Sequence, residues 1–133
     1  GLMGAGMARN IARAGFPLAV FNRTRGKAEM LATEVKATVA DSPCAIAEQS
    51  DIVITMVSDV PDVEQVYLKE KGIAEGARPG LLCIDMGTVG AKCVRRVHAE
   101  LATKQADFLD APVSGGSWAI AFPSAPVLRV TAS

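Results

Sequence analysis

The sequence predicts an α/β fold: a parallel sheet, doubly wound with helices on both faces. Three observations predict it. Short runs rich in apolar and β-branched residues alternate with helical stretches along the chain. The runs are continuously apolar rather than alternating, as in strands covered on both faces. The chain opens on Gly1-Leu2-Met3-Gly4, which leads straight into a helical stretch, the form of a turn that offers backbone N–H groups to a phosphate.

The elements follow in order. Met7 and Ile11 share one face of a first helix. Leu18-Ala19-Val20-Phe21, after Gly15 and Pro17, is a first strand. Ala28, Leu31, Ala32 and Val35 recur at i, i+3, i+4 and i+7 and give a second helix. Lys36-Ala37-Thr38-Val39 is a weaker strand. Ser42-Pro43 supplies an N-cap and a first-position proline to a third helix. Asp51 to Val57 is the longest β-branched run. Val60, Val63 and Tyr67 mark a fourth helix starting near Pro61, with Asp59 and Asp62 at its electropositive end. Leu81 to Asp85 follows the Pro79-Gly80 turn. Val94, Val97 and Leu101 give a long fifth helix, which Thr88 caps if it starts at Val89. Asp107 to Asp110 is a last, weaker strand. The rhythm breaks only at Phe122-Pro123-Ser124-Ala125-Pro126.

A chain of 133 residues, half of them apolar, can bury one core. Its formal charge of zero excludes the charge-rich composition of disorder and the basic excess of a nucleic-acid binder. No apolar run reaches membrane-span length, and no charged-then-apolar start suggests a signal peptide. Cys44, Cys83 and Cys93 are odd in number and far apart, and His98 is the single histidine, so no metal site is expected. The cysteines read as reduced, with Cys83 in the core, which places the protein in the cytoplasm. His98, among Arg95, Arg96 and Glu100, reads as a solvated surface residue.

Two glycines before a helix are, alone, no more than a tight turn. About twenty residues further on, at the tip of the next strand, an NAD site places an acid for the ribose 2′-hydroxyl. This chain has Asn22-Arg23-Thr24-Arg25 there, with Lys27 close behind. A guanidinium at that point suits a 2′-phosphate, which it can grip with two parallel hydrogen bonds. Alone this is a solvated basic turn; with the glycines it points to NADP rather than NAD.

Gly1-Leu2-Met3-Gly4, Met7-Ala8-Arg9-Asn10 and Asn22-Arg23-Thr24 resemble the start of the β-hydroxyacid dehydrogenases, such as 3-hydroxyisobutyrate dehydrogenase, tartronate semialdehyde reductase and the glyoxylate/succinic semialdehyde reductases. The family start reads G-L-G-x-M-G-x-x-M-A-x-N-L, which makes Gly1 its second glycine and Gly4 its third. Asp51 to Asp59 resembles the family's fourth strand and the loop on the adenine side of the cofactor. Ile84-Asp85-Met86-Gly87-Thr88 resembles its D-x-S-T, with Gly87 in place of serine. Asp110-Ala111-Pro112-Val113-Ser114-Gly115-Gly116 matches its substrate-loop motif without change.

The resemblance implies a Rossmann-like doubly wound sheet that lacks its first strand, and the absence of the family's helical C-terminal domain. It covers residues 1–116, the NADP-binding domain; residues 117–133, including Trp118, form a divergent tail that is not family-like. It assigns cofactor contacts to Gly1, Leu2, Met3, Gly4, Asn22, Arg23, Thr24, Val57, Ser58 and Thr88, the last near the nicotinamide. It assigns substrate-carboxylate contacts to Ser114, Gly115 and Gly116. No lysine in the chain stands in the motif of the family's catalytic lysine, so no catalytic residue is expected here and the chain as given is expected to be inactive. The implied function is part of an NADP-dependent oxidoreductase moving a hydride between NADP(H) and a small β-hydroxy acid, semialdehyde or 2-oxo acid. The implied partner is a small carboxylate substrate, and full-length relatives are homo-oligomers. The alternative is a non-catalytic NADP-binding or protein-interaction module.

Overall fold

The structure is a computed structural model that describes residues 2–57 and 59–113. The elements run α1 (Leu2–Arg13), β1 (Ala19–Val20), α2 (Arg25–Val35), β2 (Thr38–Val39), α3 (Pro43–Gln49), β3 (Ile52–Thr55), α4 (Val60–Leu68), α5 (Ile73–Gly76), β4 (Leu82–Asp85), α6 (Ala91–Ala102) and β5 (Asp107–Asp110). Every strand expected from the sequence is present, the weak one included. The short helix α5 has too few residues to show a period, and no sequence pattern marks it.

All pairings are parallel. β1 pairs with β2, Ala19 opposite Thr38. β3 pairs with β4, Val53 opposite Cys83, and β4 with β5, Cys83 opposite Phe108. The result is two sheets, β1-β2 and β3-β4-β5, with no ladder between them among the described residues. In the doubly wound order 3-2-1-4-5-6 the place between the second and fourth strands belongs to the first. That place lies between β1 and β3, and no described residue fills it. Helix α1 spans the two halves instead. Its Arg9 forks onto Glu34 of α2 at 2.7 and 2.8 Å, and its first turn meets Met56 at the end of β3.

The main core lies between β3-β4-β5 and helices α3 to α6. Tyr67, Ile73, Leu81, Leu101, Val63, Val97 and Cys83 are its largest fully buried members, and Tyr67 stands edge-on to Phe108 at 5.6 Å. A smaller cluster of Val20, Ala28 and Ala32 joins β1 to α2. The sequence predicted strands buried on both faces, and for β3 that is corrected. Val53 and Thr55 are buried, but Ile52 and Ile54 are 55% and 39% exposed. Continuous apolar sequence fits burial on both faces, but helices cover only one face of this strand among the described residues.

The helix starts obey local chemistry. The Ser42 hydroxyl accepts from the Ala45 N–H at 3.0 Å ahead of Pro43. The Asp59 carboxylate accepts from the Asp62 N–H at 3.1 Å, capping α4. A cap by Thr88 is corrected: α6 begins at Ala91 with Gly90 as its N-cap.

Candidate functional site

In parallel α/β sheets, ligands bind beyond the carboxyl ends of the strands, where the strand order reverses. Most of the sequence-predicted residues that the structure describes collect there. Leu2, Met3 and Gly4 form the first turn of α1, whose N–H groups have no acceptor within the helix. A β-carbon built on Gly4 would meet Met56 at 3.6 Å, an ordinary contact. The protein's own packing therefore does not demand glycine at this position, and close approach of the backbone to a ligand would.

Asn22, Arg23 and Thr24 form the turn that leaves β1. The Asn22 side-chain oxygen accepts from the Thr24 N–H at 2.9 Å, which fixes the turn and sets Thr24 ahead of α2. Arg23 is exposed and reaches Asp62 in the first turn of α4, with an N–O distance of 3.1 Å. Asn22, Arg23 and Arg25 also line a cavity of about 130 Å³, together with Phe21, Val39 and Asp41. Arg25 is held at this rim by both Asp41 and Glu29, which raise its pKa further.

The second half of the site is built on the ends of β3 and β4. The Met86 N–H donates to the Thr55 carbonyl at 2.9 Å, continuing the ladder past the strands. A β-carbon on Gly87 would lie 2.6 Å from the Val57 carbonyl oxygen. This close approach explains the glycine that stands where the resembling family has serine. Thr88 follows, exposed, in the segment leading to α6. The Val113 N–H approaches the Met86 carbonyl at 3.4 Å, so the segment that follows β5 passes beside the Gly87 turn. Gly1, Ser58, Ser114, Gly115, Gly116 and the 117–133 tail lie outside the described residues.

The sequence did not reveal what lies beneath this turn. Asp85 is completely buried. Its Oδ1 accepts from the Thr55 hydroxyl at 2.6 Å, and the Thr55 oxygen stands 2.8 Å from the Tyr67 hydroxyl. Among the described residues, Asp85 Oδ2 has no hydrogen-bond partner. Burial pushes the Asp85 carboxyl upward; the Thr55 hydroxyl and the Gly87 N–H pull it back, and Asp110 adds to the rise. Burial likewise holds Tyr67 neutral. Only the acid inside an apolar run, Ile84-Asp85, hinted at this network.

The remaining candidates are inert. Burial pushes the Cys83 thiol up to about 12 and raises those of Cys44 and Cys93, so none is an activated nucleophile. His98 is exposed, as expected. Among the described residues no cluster suits a metal ion, and no helix is long and apolar enough to cross a membrane.

Comparison with known proteins agrees with this arrangement. The model of the NAD binding domain of 6-phosphogluconate dehydrogenase matches residues 1–122. A probable 3-hydroxyisobutyrate dehydrogenase-like protein of Arabidopsis thaliana, described as mitochondrial, is 41% identical over 117 residues, 87% of this chain and 35% of its own length. A probable mitochondrial 3-hydroxyisobutyrate dehydrogenase of Dictyostelium discoideum is 35% identical over 117 residues, 88% of this chain and 36% of its own. Among solved structures, the Mycobacterium tuberculosis 3-hydroxyisobutyrate dehydrogenase with L-serine superposes with a TM-score of 0.81 at 33% identity, covering 91% of this chain and 40% of that one. Psf3 in complex with NADP+ and 2-OPP superposes at 0.82 with 26% identity, covering 90% and 43%. The chain thus spans well under half the length of these relatives. The α/β architecture, together with a family match over residues 1–122, identifies the chain as a member of the family of the NAD binding domain of 6-phosphogluconate dehydrogenase.

Proposed function

We propose that this chain is the NADP-binding part of an oxidoreductase that moves a hydride between NADP(H) and a small β-hydroxy acid, semialdehyde or 2-oxo acid. The observation that carries the reading is Arg23. It stands on the turn after β1, where an NAD site would place an acid, and an Asx turn at Asn22 holds it beyond the strand ends. The first turn of α1 offers N–H groups to the pyrophosphate. The Val57 and Gly87 loops would flank the adenine and nicotinamide sides, with Thr88 at the latter. Bound NADPH supplies the hydride; the residues of this chain bind and orient it and exclude water. Ser114, Gly115 and Gly116 would hold the substrate carboxylate, the last two through backbone N–H groups. No residue here is assigned the proton transfer, so residues 1–133 alone are expected to bind cofactor without turning over substrate. The NADP+ complex of Psf3 and the L-serine complex of the mycobacterial dehydrogenase support a 2′-phosphorylated cofactor and a small carboxylate ligand. Three free cysteines suit a reducing compartment such as the cytoplasm, although several relatives are described as mitochondrial.

The test is Arg23→Asp in the protein that carries this chain, with cofactor binding followed by NAD(P)H fluorescence. A charged hydrogen bond to phosphate contributes about 1.5–3 kcal/mol, so NADPH affinity should fall roughly 10- to 100-fold while NADH affinity changes little. Equal binding of NADPH and NADH by the unaltered protein would refute the assignment.

A further inference from the structure

The Arg23–Asp62 contact joins two elements on opposite sides of the cofactor crevice. Arg23 belongs to the turn after β1, and Asp62 to the first turn of α4, which follows β3. The Arg23 side chain is 84% exposed and that of Asp62 36%. Asp62 is the better-anchored partner, since its own N–H is held by the Asp59 carboxylate. The contact is single-point, from one guanidinium nitrogen to one carboxylate oxygen at 3.1 Å. Nearby arginines are held harder: Arg9 forks onto both oxygens of Glu34, and Arg25 is shared between Asp41 and Glu29. Arg23 is therefore the guanidinium here most easily taken by another anion, and a phosphate that accepts two parallel hydrogen bonds outcompetes one carboxylate oxygen.

We propose that Asp62 sets the affinity for the cofactor's 2′-phosphate by competing with it for Arg23. The proposal rests on the NADP reading above. In the cofactor-free protein Asp62 draws Arg23 across the crevice; a 2′-phosphorylated nucleotide must displace it, and NAD has no group with which to do so. The ion pair thus lowers NADP affinity while leaving NAD affinity unchanged. Exposed pairs of this kind correspond to roughly a two- to fivefold change in an equilibrium constant.

Four proteins separate the possibilities: unaltered, Asp62→Asn, Arg23→Ala, and the double variant. The probes are NADPH, NADH, 2′-AMP and 5′-AMP, each titrated by calorimetry or fluorescence, so no turnover is needed. Asp62→Asn should tighten NADPH and 2′-AMP two- to fivefold and leave NADH and 5′-AMP unchanged, and the gain should vanish when Arg23 is alanine. Asp59→Asn removes the same charge three residues away and retains a capping side chain; it should give no such selective gain. An unchanged NADPH affinity in Asp62→Asn overturns the proposal. So does an equal gain for NADH, a gain that survives Arg23→Ala, or an equal gain from Asp59→Asn, since each is a general field effect. Failure of the NADP reading itself looks different: the unaltered protein then shows no preference for NADPH and Arg23→Ala changes nothing, and the proposal falls with it.

Discussion

Replacing Thr55 with valine keeps the branched shape of the side chain and removes one hydroxyl from the centre of a buried chain of hydrogen bonds. That hydroxyl gives its single proton to Asp85 Oδ1 at 2.6 Å, so the Tyr67 hydroxyl, 2.8 Å away, must donate to it in turn. All three side chains are buried, and Asp85 Oδ2 already has no partner among the described residues. In Thr55→Val the Asp85 Oδ1 loses its side-chain donor and the Tyr67 hydroxyl loses its acceptor. A hydrogen bond to a charged group contributes about 1.5–3 kcal/mol and an orphaned buried hydroxyl costs about 1–3 kcal/mol. The expected loss is about 2.5–6 kcal/mol, a large part of a typical domain stability of about 5–15 kcal/mol. The assay is equilibrium urea denaturation followed by far-UV circular dichroism, with the absorbance of Tyr67, the chain's one tyrosine, as a second probe. Because the three groups act as a unit, their effects should not add, and Asp85→Asn should cost less in the Thr55→Val background than alone. A loss for Thr55→Val under about 0.5 kcal/mol, the range of an ordinary surface substitution, would show that the network does not hold this part of the fold.

Gly87→Ala forces a β-carbon against the Val57 carbonyl, so it should cost about 1–3 kcal/mol and weaken cofactor binding by displacing the Thr88 segment; denaturation and NADPH titration check both effects. Asp85 retains its proton in the folded state to a higher pH than its usual 3.8. Between that value and the raised folded one the unfolded chain binds fewer protons than the folded chain, so this group's contribution falls as pH rises through the window. Asp85→Asn should remove that part of the slope when urea midpoints are compared from about pH 3.5 to about 7, and an unchanged slope would count against it. The place between β1 and β3, in which no described residue forms a strand, predicts that joining an apolar strand of about five residues ahead of Gly1 raises stability by about 0.5–1.5 kcal/mol per hydrogen bond gained. A urea midpoint identical to that of residues 1–133 would show that the two edges do not accept a strand.

The sequence by itself determined the strand and helix order, because burial in a parallel sheet imposes continuous apolar runs, and helices that cover it impose a 3.6-residue period. It also determined the helix caps at Ser42 and Asp59, whose hydrogen bonds span only three residues. The positions of Arg23 on the turn after β1 and of Gly4 in the first turn of α1 were legible because each follows from the local sequence around it. What lay beyond reach depends on residues distant in the chain. The Thr55–Asp85 bond spans 30 residues and the Arg23–Asp62 contact 39. The exposure of Ile52 and Ile54 depends on which layer lies over a strand, which their apolar character does not specify. Gly87 departs from the resembling family pattern in sequence, but only the fold shows the Val57 carbonyl that crowds it. Local propensity acts over a few residues, whereas packing brings together groups that no short-range pattern connects, and so the tertiary structure alone decided which buried acid, carbonyl and guanidinium meet around the crevice.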